Sequence, residues 1–485
     1  MANYLDNLDV IDANNDTTNV LLQDRQSLAL STEALAKANS NITKLNNMQV
    51  YNVKDYGAKG DGTTDDTTAV NDAIAAFNNT GGILYFPYGN YVLSDSLTPL
   101  TKRGMIIGDS SVIDATSIIS SDILFTLSAS HISIEGLQIY GPDGIGIAIR
   151  TNTRSTVTNC VISGFDHQVD VYNSTVTKIT NNYFVNFTVS IYIDNPSNTD
   201  AGDHMIYGNT WDTSTPGSGT AIYVNTSGGL YITSNKFLNC AYAFVEGITT
   251  DATSVLIFNN NSVETVNGMI FNSPLTGVRF SKITINNNEF AVSGNCMQIL
   301  DDSEGIVING NYFEGVGSNT CIFLGAPNGT KAPAKITISD NVMHYFNNAI
   351  FMYSNIDKCN IDNNIYNDIT YIINSSGFTE LSGDNLFNVK AANILSSAGS
   401  AFQILTANNT TFKLVVKMSG AHADYGEYYI SVVNGTPTFT PIIAATGNMS
   451  VAMGTRDIVI SGVNVSAGDT ITIDCDALML LVQKY

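Results

Sequence analysis

The segment Ile179-Thr-Asn-Asn-Tyr-Phe184 carries a pattern that returns along much of this 485-residue chain. In each copy a short apolar strand leads into small polar residues, an Asn, one further residue and a large apolar residue. Aligned on that Asn, the copies fall at Asn159, Asn182, Asn209, Asn235, Asn261, Asn288, Asn311, Asn341, Asn364 and Asn385. Their spacing of 21 to 30 residues predicts a solenoid in which each repeat forms one coil.

The residue types of the repeat favour strands over helices. Ile, Val, Thr, Phe and Tyr are abundant, whereas the helix formers Glu, Lys and Leu are sparse. Stacked strands lie about 4.8 Å apart, so equivalent Asn side chains can hydrogen-bond from coil to coil and form a ladder. Strand alternation turns inward the residue two positions after each Asn, namely Val161, Phe184, Trp211, Phe237, Val263, Phe290, Phe313, Met343, Tyr366 and Phe387. We therefore predict an all-β fold, a parallel β-helix with an aromatic core.

Charge and cysteine content argue against several functional classes. The net charge of −22 argues against nucleic acid as a partner, because nucleic-acid sites need clustered cations. The 6 cysteines have no metal-binding spacing and no cofactor motif is present, so we predict neither a metal nor a cofactor. The chain has no run of about 18 apolar residues that would insert into a membrane. Its polar N-terminus does not resemble a secretory signal peptide.

Three regions differ in pattern. Residues 1–50 include an apolar residue every 7 positions over Leu21–Ile42, which fits either a short coiled-coil stem or a single amphipathic helix. Residues 51–390 hold the repeats, and a helix beginning near Thr67 is expected to cap the first coil. Residues 391–485 alternate apolar and polar positions between Gly and Asn turns, which predicts a small antiparallel β-sandwich. Trimerisation, sugar binding and capping all remain open as the role of this last region.

Two segments near the start resemble the pectate-lyase-like superfamily of right-handed parallel β-helices. Val53–Ile74 reads Val-x-Asp-Tyr-Gly-Ala-x-Gly-Asp-Gly-x-x-Asp-Asp-Thr-x-Ala-x-x-x-Ala-Ile. Gly81–Tyr91 reads Gly-Gly-x-x-x-Phe-Pro-x-Gly-x-Tyr. The resemblance is specific for the fold and weak for the reaction, because the superfamily includes polygalacturonases, pectate lyases, other polysaccharide-cleaving enzymes and bacteriophage tail spikes.

Together with the leading stem, the resemblance is closest to a phage tail spike or appendage. It implies a homotrimer on the virion tail, attached to other tail proteins through its N-terminus. It also implies a bacterial surface polysaccharide as the ligand that such a protein binds and cuts. These properties follow from the resemblance and not from composition or spacing.

The chain lacks His-Glu-x-x-His, a P-loop and a supported nucleophile elbow, so carboxylates are the available tools for cleaving a glycosidic bond. In the strand that follows the second corner of each coil, alternation separates inward from outward positions. The predicted outward positions combine aromatic residues with acids and amides: Tyr192, Asp194, Tyr223, Asn225, Phe244, Glu246, Ile270, Asn272, Phe323, Phe351 and Tyr353. Exposed aromatic rings suit the apolar C–H faces of sugars, so we interpret this column as a glycan-binding groove. The alternative is that the column forms the interface between chains of a trimer.

Within the column, Asp194 and Glu246 are predicted to be the acid and the base. They lie two coils apart, which is about 9.6 Å between backbones and near the roughly 6.5–9.5 Å between the carboxyls of inverting glycosidases. Asp301 and Asp302 are further candidates for the catalytic set. Hydrolysis of a polysaccharide is the predicted reaction. A lyase of the same fold, which needs a basic residue such as Arg or Lys, is one alternative, and Arg279 and Lys282 form the only close basic pair of the later coils. A non-cleaving adhesin is another.

Overall fold

The computed structural model describes residues 31–37, 49–119, 122–151, 154–194, 203–225, 228–247, 254–272, 280–326, 333–353, 356–375, 388–395, 401–406, 410–419, 424–433, 436–443, 449–453, 457–462, 469–476 and 479–484. Over the described residues from 49 to 375 the chain is an all-β parallel solenoid, as predicted, with few helical residues. Each full coil contributes three strands, and each strand pairs in parallel with its equivalent in the next coil.

Stack A precedes the Asn corner, stack B follows it, and stack C closes the coil. Three long strands, Gly104–Asp114, Ile132–Tyr140 and Asp357–Asn367, run through both A and B. The other strands of stack A are Val50–Asn52, Gly82–Phe86, Ser155–Thr158, Thr177–Thr180, His204–Tyr207, Gly229–Thr233, Ser254–Asn259, Phe280–Asn286, Glu304–Asn309 and Ala334–Ser339. Those of stack B are Asp61–Asp65, Asn90–Val92, Val161–Ser163, Tyr183–Val185, Thr210–Asp212, Lys236–Leu238, Ser262–Thr265, Glu289–Val292, Tyr312–Glu314 and Val342–His344. Those of stack C are Ile123–Leu127, Ile147–Thr151, His167–Tyr172, Val189–Asp194, Ser218–Val224, Cys240–Glu246, Asn267–Phe271, Met297–Ile299, Thr320–Leu324, Asn348–Met352 and Tyr371–Ser375.

A continuous Asn ladder links the coils at the corner between stacks A and B. Its members are Asn182, Asn209, Asn235, Asn261, Asn288, Asn311, Asn341 and Asn364, all buried. Each side-chain amide donates to the Oδ1 of the next Asn at 2.9–3.1 Å, and that same Oδ1 also accepts from the backbone N–H of the preceding Asn. The ladder thus satisfies the polar groups of a sharp corner that is buried inside the fold.

The predicted first member of the ladder is wrong by one residue. Cys160 holds the ladder position, since its backbone N–H donates to Asn182 Oδ1 at 2.9 Å. Asn159 is exposed and adopts a positive φ of 53° at the turn, which Asn tolerates better than most residues. The inward residue of this coil is accordingly Ile162 and not Val161. Asn385, the predicted last member, lies outside the described residues.

The inward column after the ladder forms the core, as predicted. Its described members from the Asn182 coil onward are Phe184, Trp211, Phe237, Val263, Phe290, Phe313, Met343 and Tyr366, each 0% exposed. The rings stack from coil to coil; those of Trp211 and Phe237 have centroids 4.5 Å apart and planes 4° apart. Aromatic pairs of this kind contribute roughly 0.5–1.5 kcal/mol beyond their buried area. These aromatic residues are therefore scaffold rather than a ligand site.

A helix at Thr67–Thr80 covers the first coil, as the capping pattern predicts. Val70, Ala73, Ile74 and Phe77 form its buried face. Asp66 occupies the N-cap position without a side-chain cap and instead accepts from backbone N–H groups of the preceding loop. No described helix is long and apolar enough to cross a membrane.

Two predictions concern the ends of the chain, the stem at the N-terminal end and the β-sandwich at the C-terminal end. Residues 31–37 are helical and Val50 begins the first strand, while residues 1–30 and 38–48 of the predicted stem lie outside the described residues. At the other end the strands Asn388–Leu395, Ala401–Thr406, Thr410–Ser419, Asp424–Val433, Thr436–Ile443, Met449–Met453, Asp457–Gly462, Asp469–Asp476 and Met479–Lys484 follow the solenoid. Antiparallel pairs join them into two sets, one continuing from stacks A and B and the other from stack C. The attachment stem and the β-sandwich stay predictions.

Candidate active site on the outer face of stack C

Tyr192 and Tyr223 are the centre of the candidate site. They are register partners on neighbouring strands of stack C and point outward, as strand alternation predicts. Their ring centroids are 5.5 Å apart and their planes differ by 15°. Both rings are half-buried, so each presents part of its surface to solvent. Because the rings lie face to face along the solenoid, the part of the pair that is left to solvent consists mainly of ring edges.

Asp194 and Asn225 continue the outward positions beyond the two tyrosines. Asn225 Nδ2 lies 3.3 Å from Asp194 Oδ1 and donates to it. Both residues are half-buried, which leaves polar atoms at the edge of the aromatic surface. The structure therefore brings together four of the predicted site residues.

Glu246 and Phe244 do not belong to this column, and their predicted outward orientation is wrong. Tyr223 pairs with Val245, so Val245 is the outward residue of its coil. Glu246 is 1% exposed and Phe244 is 0% exposed. The error is a shift of one residue, which exchanges the two faces of a strand.

The cause of this shift is that Ala243 and Phe244 are both buried. Each complete strand of stack C has two consecutive buried residues before its outward one, as at Ala221 and Ile222. An inward–outward alternation can be counted from either of these two buried residues, and the two choices give opposite faces. The choice that places Glu246 inward also contradicts the usual expectation that ionisable groups face water. The inward assignment of Ala243 therefore gave the wrong register.

Asp301 is also interior, at 0% exposed, and is hydrogen-bonded to Glu246. Burial raises the pKa of Asp301, because a buried carboxylate lacks its hydration. Its neighbour Asp302 is half-buried. Glu246 and Asp301 thus form a carboxyl pair inside the solenoid, away from the outer face where they were predicted to act.

Of the remaining predicted binding residues, Asn272, Phe351 and Tyr353 lie on the outer face of stack C. Asn272 is exposed, and the other two are half-buried. Phe351 is several coils beyond Tyr223 along the solenoid. Their role as binding residues stays a prediction.

Arg150 and Asp170 extend the column on the other side of Tyr192, and sequence reasoning missed them. Arg150 pairs in register with Asp170, which pairs with Tyr192. Arg150 Nε donates to Asp170 Oδ2 at 2.6 Å, and Nη2 lies at the same distance from that oxygen. Burial raises the pKa of Asp170, although the Arg150 guanidinium offsets part of this effect. The alternation Val169-Asp170-Val171 would have identified Asp170 as outward, had the strand pattern been followed to this earlier coil.

His167 and Tyr172 complete the site. The imidazole of His167 stacks on Tyr192 with centroids 4.5 Å apart and planes 10° apart. Burial lowers the pKa of His167, while Asp166 and Asp170 act in the opposite direction. The guanidinium carbon of Arg150 lies 5.1 Å from the centre of the Tyr172 ring. Together these residues form a continuous surface of aromatic and charged groups.

The spacing of Asp170 and Asp194 suits two-carboxylate chemistry. Asp194 is two residues beyond Tyr192, the register partner of Asp170. One strand step of about 4.8 Å and two residues of about 3.3 Å each place the two backbones roughly 8 Å apart. Inverting glycosidases separate their carboxyl groups by roughly 6.5–9.5 Å, which leaves room for the attacking water.

Among the described residues, no group of three or more His, Cys, Asp or Glu side chains is placed so that it could hold a metal ion. The cysteines at 160, 240, 296, 321 and 359 are free and buried. Burial raises the pKa of Cys160 and Cys240 to about 12, so both remain thiols that act as small apolar groups.

Two family models match the sequence. Residues 50–129 match "Rhamnogalacturonase A/epimerase, pectate lyase-like", and residues 122–273 match "Right handed beta helix region". The predicted resemblance to pectate-lyase-like right-handed β-helices is thereby confirmed. Among curated proteins, alginate lyase 7 of Azotobacter vinelandii is 60% identical over 45 residues, which is 9% of this chain and 5% of that protein. The chain spans only 5–8% of the length of the first curated relatives that it matches.

Two solved structures match this chain at low sequence identity. The surface adhesin PfbA of Streptococcus pneumoniae is 16% identical, with a TM-score of 0.51 over 68% of this chain and 100% of that one. The tailspike protein of E. coli bacteriophage HK620, solved with a pentasaccharide, is 9% identical, with a TM-score of 0.48 over 89% of this chain and 93% of that one.

Proposed function

We propose that the protein binds a bacterial surface polysaccharide across the outer face of stack C and hydrolyses it. The observation that carries this proposal is the stacked pair Tyr192–Tyr223 with carboxyl groups on both sides, Asp170 and Asp194. Sugar rings offer apolar C–H groups to the exposed parts of aromatic side chains and hydroxyls to carboxylates and amides. The site combines both kinds of group on one surface.

In the proposed reaction Asp194 is the base and Asp170 the acid. Asp194 removes a proton from a water molecule, which attacks the anomeric carbon while the glycosidic bond breaks. Asp170 gives a proton to the leaving oxygen after its contact with Arg150 has opened and the buried carboxyl has taken up a proton from solvent, which burial favours. The side chain of Asp170 is only 3% exposed, so the contact with Arg150 has to open before the carboxyl group reaches the sugar. No metal or cofactor is required by this chemistry.

Sequence similarity supports a polysaccharide as the ligand. The family model over residues 50–129 is described as a rhamnogalacturonase or epimerase, and alginate lyase 7 is named for another polysaccharide. The setting that we propose is that of a phage tail spike. It includes a homotrimer that acts at the host cell surface and joins other virion tail proteins through residues 1–50. A β-sandwich over residues 391–485 completes this proposed organisation.

The function is tested by incubating the protein with a panel of bacterial capsular polysaccharides and lipopolysaccharide O-chains. Products are analysed by mass spectrometry and by reducing-end assay. Hydrolysis predicts fragments that each carry the mass of one added water and a new reducing end. Failure of every polysaccharide to bind or to be cut would contradict the proposal.

A lyase is the second candidate, because Arg150 adds a basic group to the same face. Arg150 is held in an ion pair with Asp170, which occupies its guanidinium and opposes a role as base. A lyase would release unsaturated fragments that absorb near the ultraviolet edge, without added water. A non-cleaving adhesin, the third reading, would retain the polysaccharide but release no reducing ends.

A further inference from the structure

A second group of aromatic rings lies on the outer face of stack C, further along the solenoid. We call Phe323, Phe351 and Tyr353 the distal platform. The Phe323 and Phe351 rings are 5.3 Å apart, Phe323 and Tyr353 are 5.6 Å apart, and Phe351 and Tyr353 are 4.8 Å apart. All three residues are half-buried, so the cluster keeps an open surface.

The distal platform is aligned with the candidate active site. Tyr223, Val245, Ile270, Gln298 and Phe323 are successive register partners, one in each coil. Four steps of about 4.8 Å place the platform roughly 19 Å from Tyr223 along the solenoid axis. Both aromatic surfaces therefore lie on one straight column of outward residues.

Between the two aromatic groups, the described outward residues within the strands of stack C are uncharged, and Asp302 lies just past the end of one of these strands. Val245, Ile270 and Gln298 form the centre of this surface, and Asn272 and Leu300 follow at neighbouring outward positions. Charged groups instead gather at the other end of the column, where Arg150, Asp170 and Asp194 lie. The column thus separates a charged reacting end from an uncharged distal end.

We infer that the distal platform is a remote binding subsite for the polysaccharide. This inference rests on the proposed glycan-binding function. A chain that contacts Tyr192 and Tyr223 and continues along the axis passes over the strand residues Val245, Ile270 and Gln298 and reaches Phe323 and Phe351. There the sugar rings contact protein through their apolar faces, because no described side chain of the platform carries a charge. Binding energy from such a remote segment holds a long substrate in place and is not available to a short one.

The test is the double variant Phe323→Ala/Phe351→Ala. Native gels that contain a polysaccharide measure binding through retardation of the protein, and the panel comprises dextran, alginate, polygalacturonate and purified capsular polysaccharides. The double variant is expected to bind polymer about tenfold more weakly or worse, since central aromatic contacts dominate binding. The loss of binding is expected to be larger for polymer than for tri- and tetrasaccharide fragments, because a short ligand need not contact the platform. The matched control is Tyr312→Ala/Tyr345→Ala, whose rings are 37% and 52% exposed and lie on or beside stack B.

The outcomes separate the inference from the function on which it rests. Retardation of the double variant equal to that of the wild type overturns the inference alone. Dissociation of an oligomer by the double variant, measured by sedimentation, also overturns it, because the platform would then contact protein. If no polysaccharide retards the wild type, both the proposed function and the inference fail. Circular dichroism and the urea midpoint verify that each variant is folded.

Discussion

Arg150 and Asp170 are register partners on adjacent coils, and the guanidinium Nη2 lies 2.6 Å from the carboxylate Oδ2. The Asp170 side chain is 3% exposed and that of Arg150 is 28% exposed. The pair therefore connects a buried carboxyl group to the surface on which we propose the glycan binds. Tyr192, stacked on His167, is the next residue of the same column.

Replacing Arg150 by Met is expected to leave Asp170 buried without its cation. We predict a loss of about 3 kcal/mol in the free energy of unfolding at pH 7. The loss should shrink near pH 4, because a protonated Asp170 no longer needs a counter-charge. Urea denaturation at both pH values measures the difference.

The control for this substitution is Lys236→Met. Lys236 and Glu264 also form an ion pair, at 3.6 Å, but both side chains are 51% exposed. Such a pair contributes less than about 1 kcal/mol. Equal losses in the two variants would show that the Arg150 pair is an ordinary surface contact.

The register of the Asn ladder predicts that substitutions of Asn182 and Asn159, at the corners of adjacent coils, change stability by different amounts. Asn182 is 2% exposed, donates to Val157 O and Asn209 Oδ1, and accepts from Cys160 N–H. Its replacement by Ala leaves several buried groups unpaired, which should destabilise the fold by roughly 2–4 kcal/mol. Asn159→Gly should change stability by less than about 0.5 kcal/mol, because Gly accepts the positive φ. Urea midpoints compare the two, and a larger effect at Asn159 would contradict the corrected register.

Most of the fold could be predicted from the repeat, because the Asn and the large apolar residue two positions after it have the same physical role in nearly every coil. The ladder from Asn182 to Asn364 and the core column follow directly from that role. Site residues are harder to predict, because they depend on which of two consecutive residues faces outward. That choice was correct at Tyr192 and Tyr223 and wrong at Glu246, where an acid lies in the core. Arg150 and Asp170 were missed because their strands precede the clearest part of the repeat.

The buried imidazole of His204 leads us to expect that the folded protein loses stability in acid. Its Nδ1 accepts from Thr177 N–H at 3.2 Å, and burial lowers its pKa to about 4. At pH values between about 6.5, the pKa of the unfolded chain, and about 4, the pKa of the folded chain, the unfolded chain binds a proton on His204 that the folded chain does not. Stability therefore falls as pH falls. The fall should amount to about 3 kcal/mol by pH 4.

The variant His204→Gln keeps an acceptor for Thr177 and does not titrate, so this part of the pH dependence should vanish. His131 is exposed, and His131→Gln is the matched control. Stability curves between pH 4 and 7 measure the effect. An unchanged curve for His204→Gln would contradict the assignment.

The interior carboxyl pair of Glu246 and Asp301 predicts a pH dependence of stability opposite to that of His204, since its contribution falls as pH rises. Burial raises the folded-state pKa of Asp301, so the folded chain retains a proton that the unfolded chain releases. The associated stability is present in acid and is lost as pH rises above the unfolded value of about 3.9. Asp301→Asn should flatten this decline, with a gain in stability at pH 7 relative to pH 4. A steeper decline in the variant would mean that the carboxyl is charged and paired in the folded protein.

The central claim, that the outer face of stack C is the catalytic site, is tested most directly by the rate of reducing-end release in Asp194→Asn. We predict a loss of about 10³-fold with polysaccharide binding unchanged in native gels. Glu246→Gln, which alters a carboxyl in the interior, should remain within about threefold of the wild type, since less than 1 kcal/mol of barrier is at stake. Full activity in Asp194→Asn, or loss of activity only in Glu246→Gln, would contradict the account.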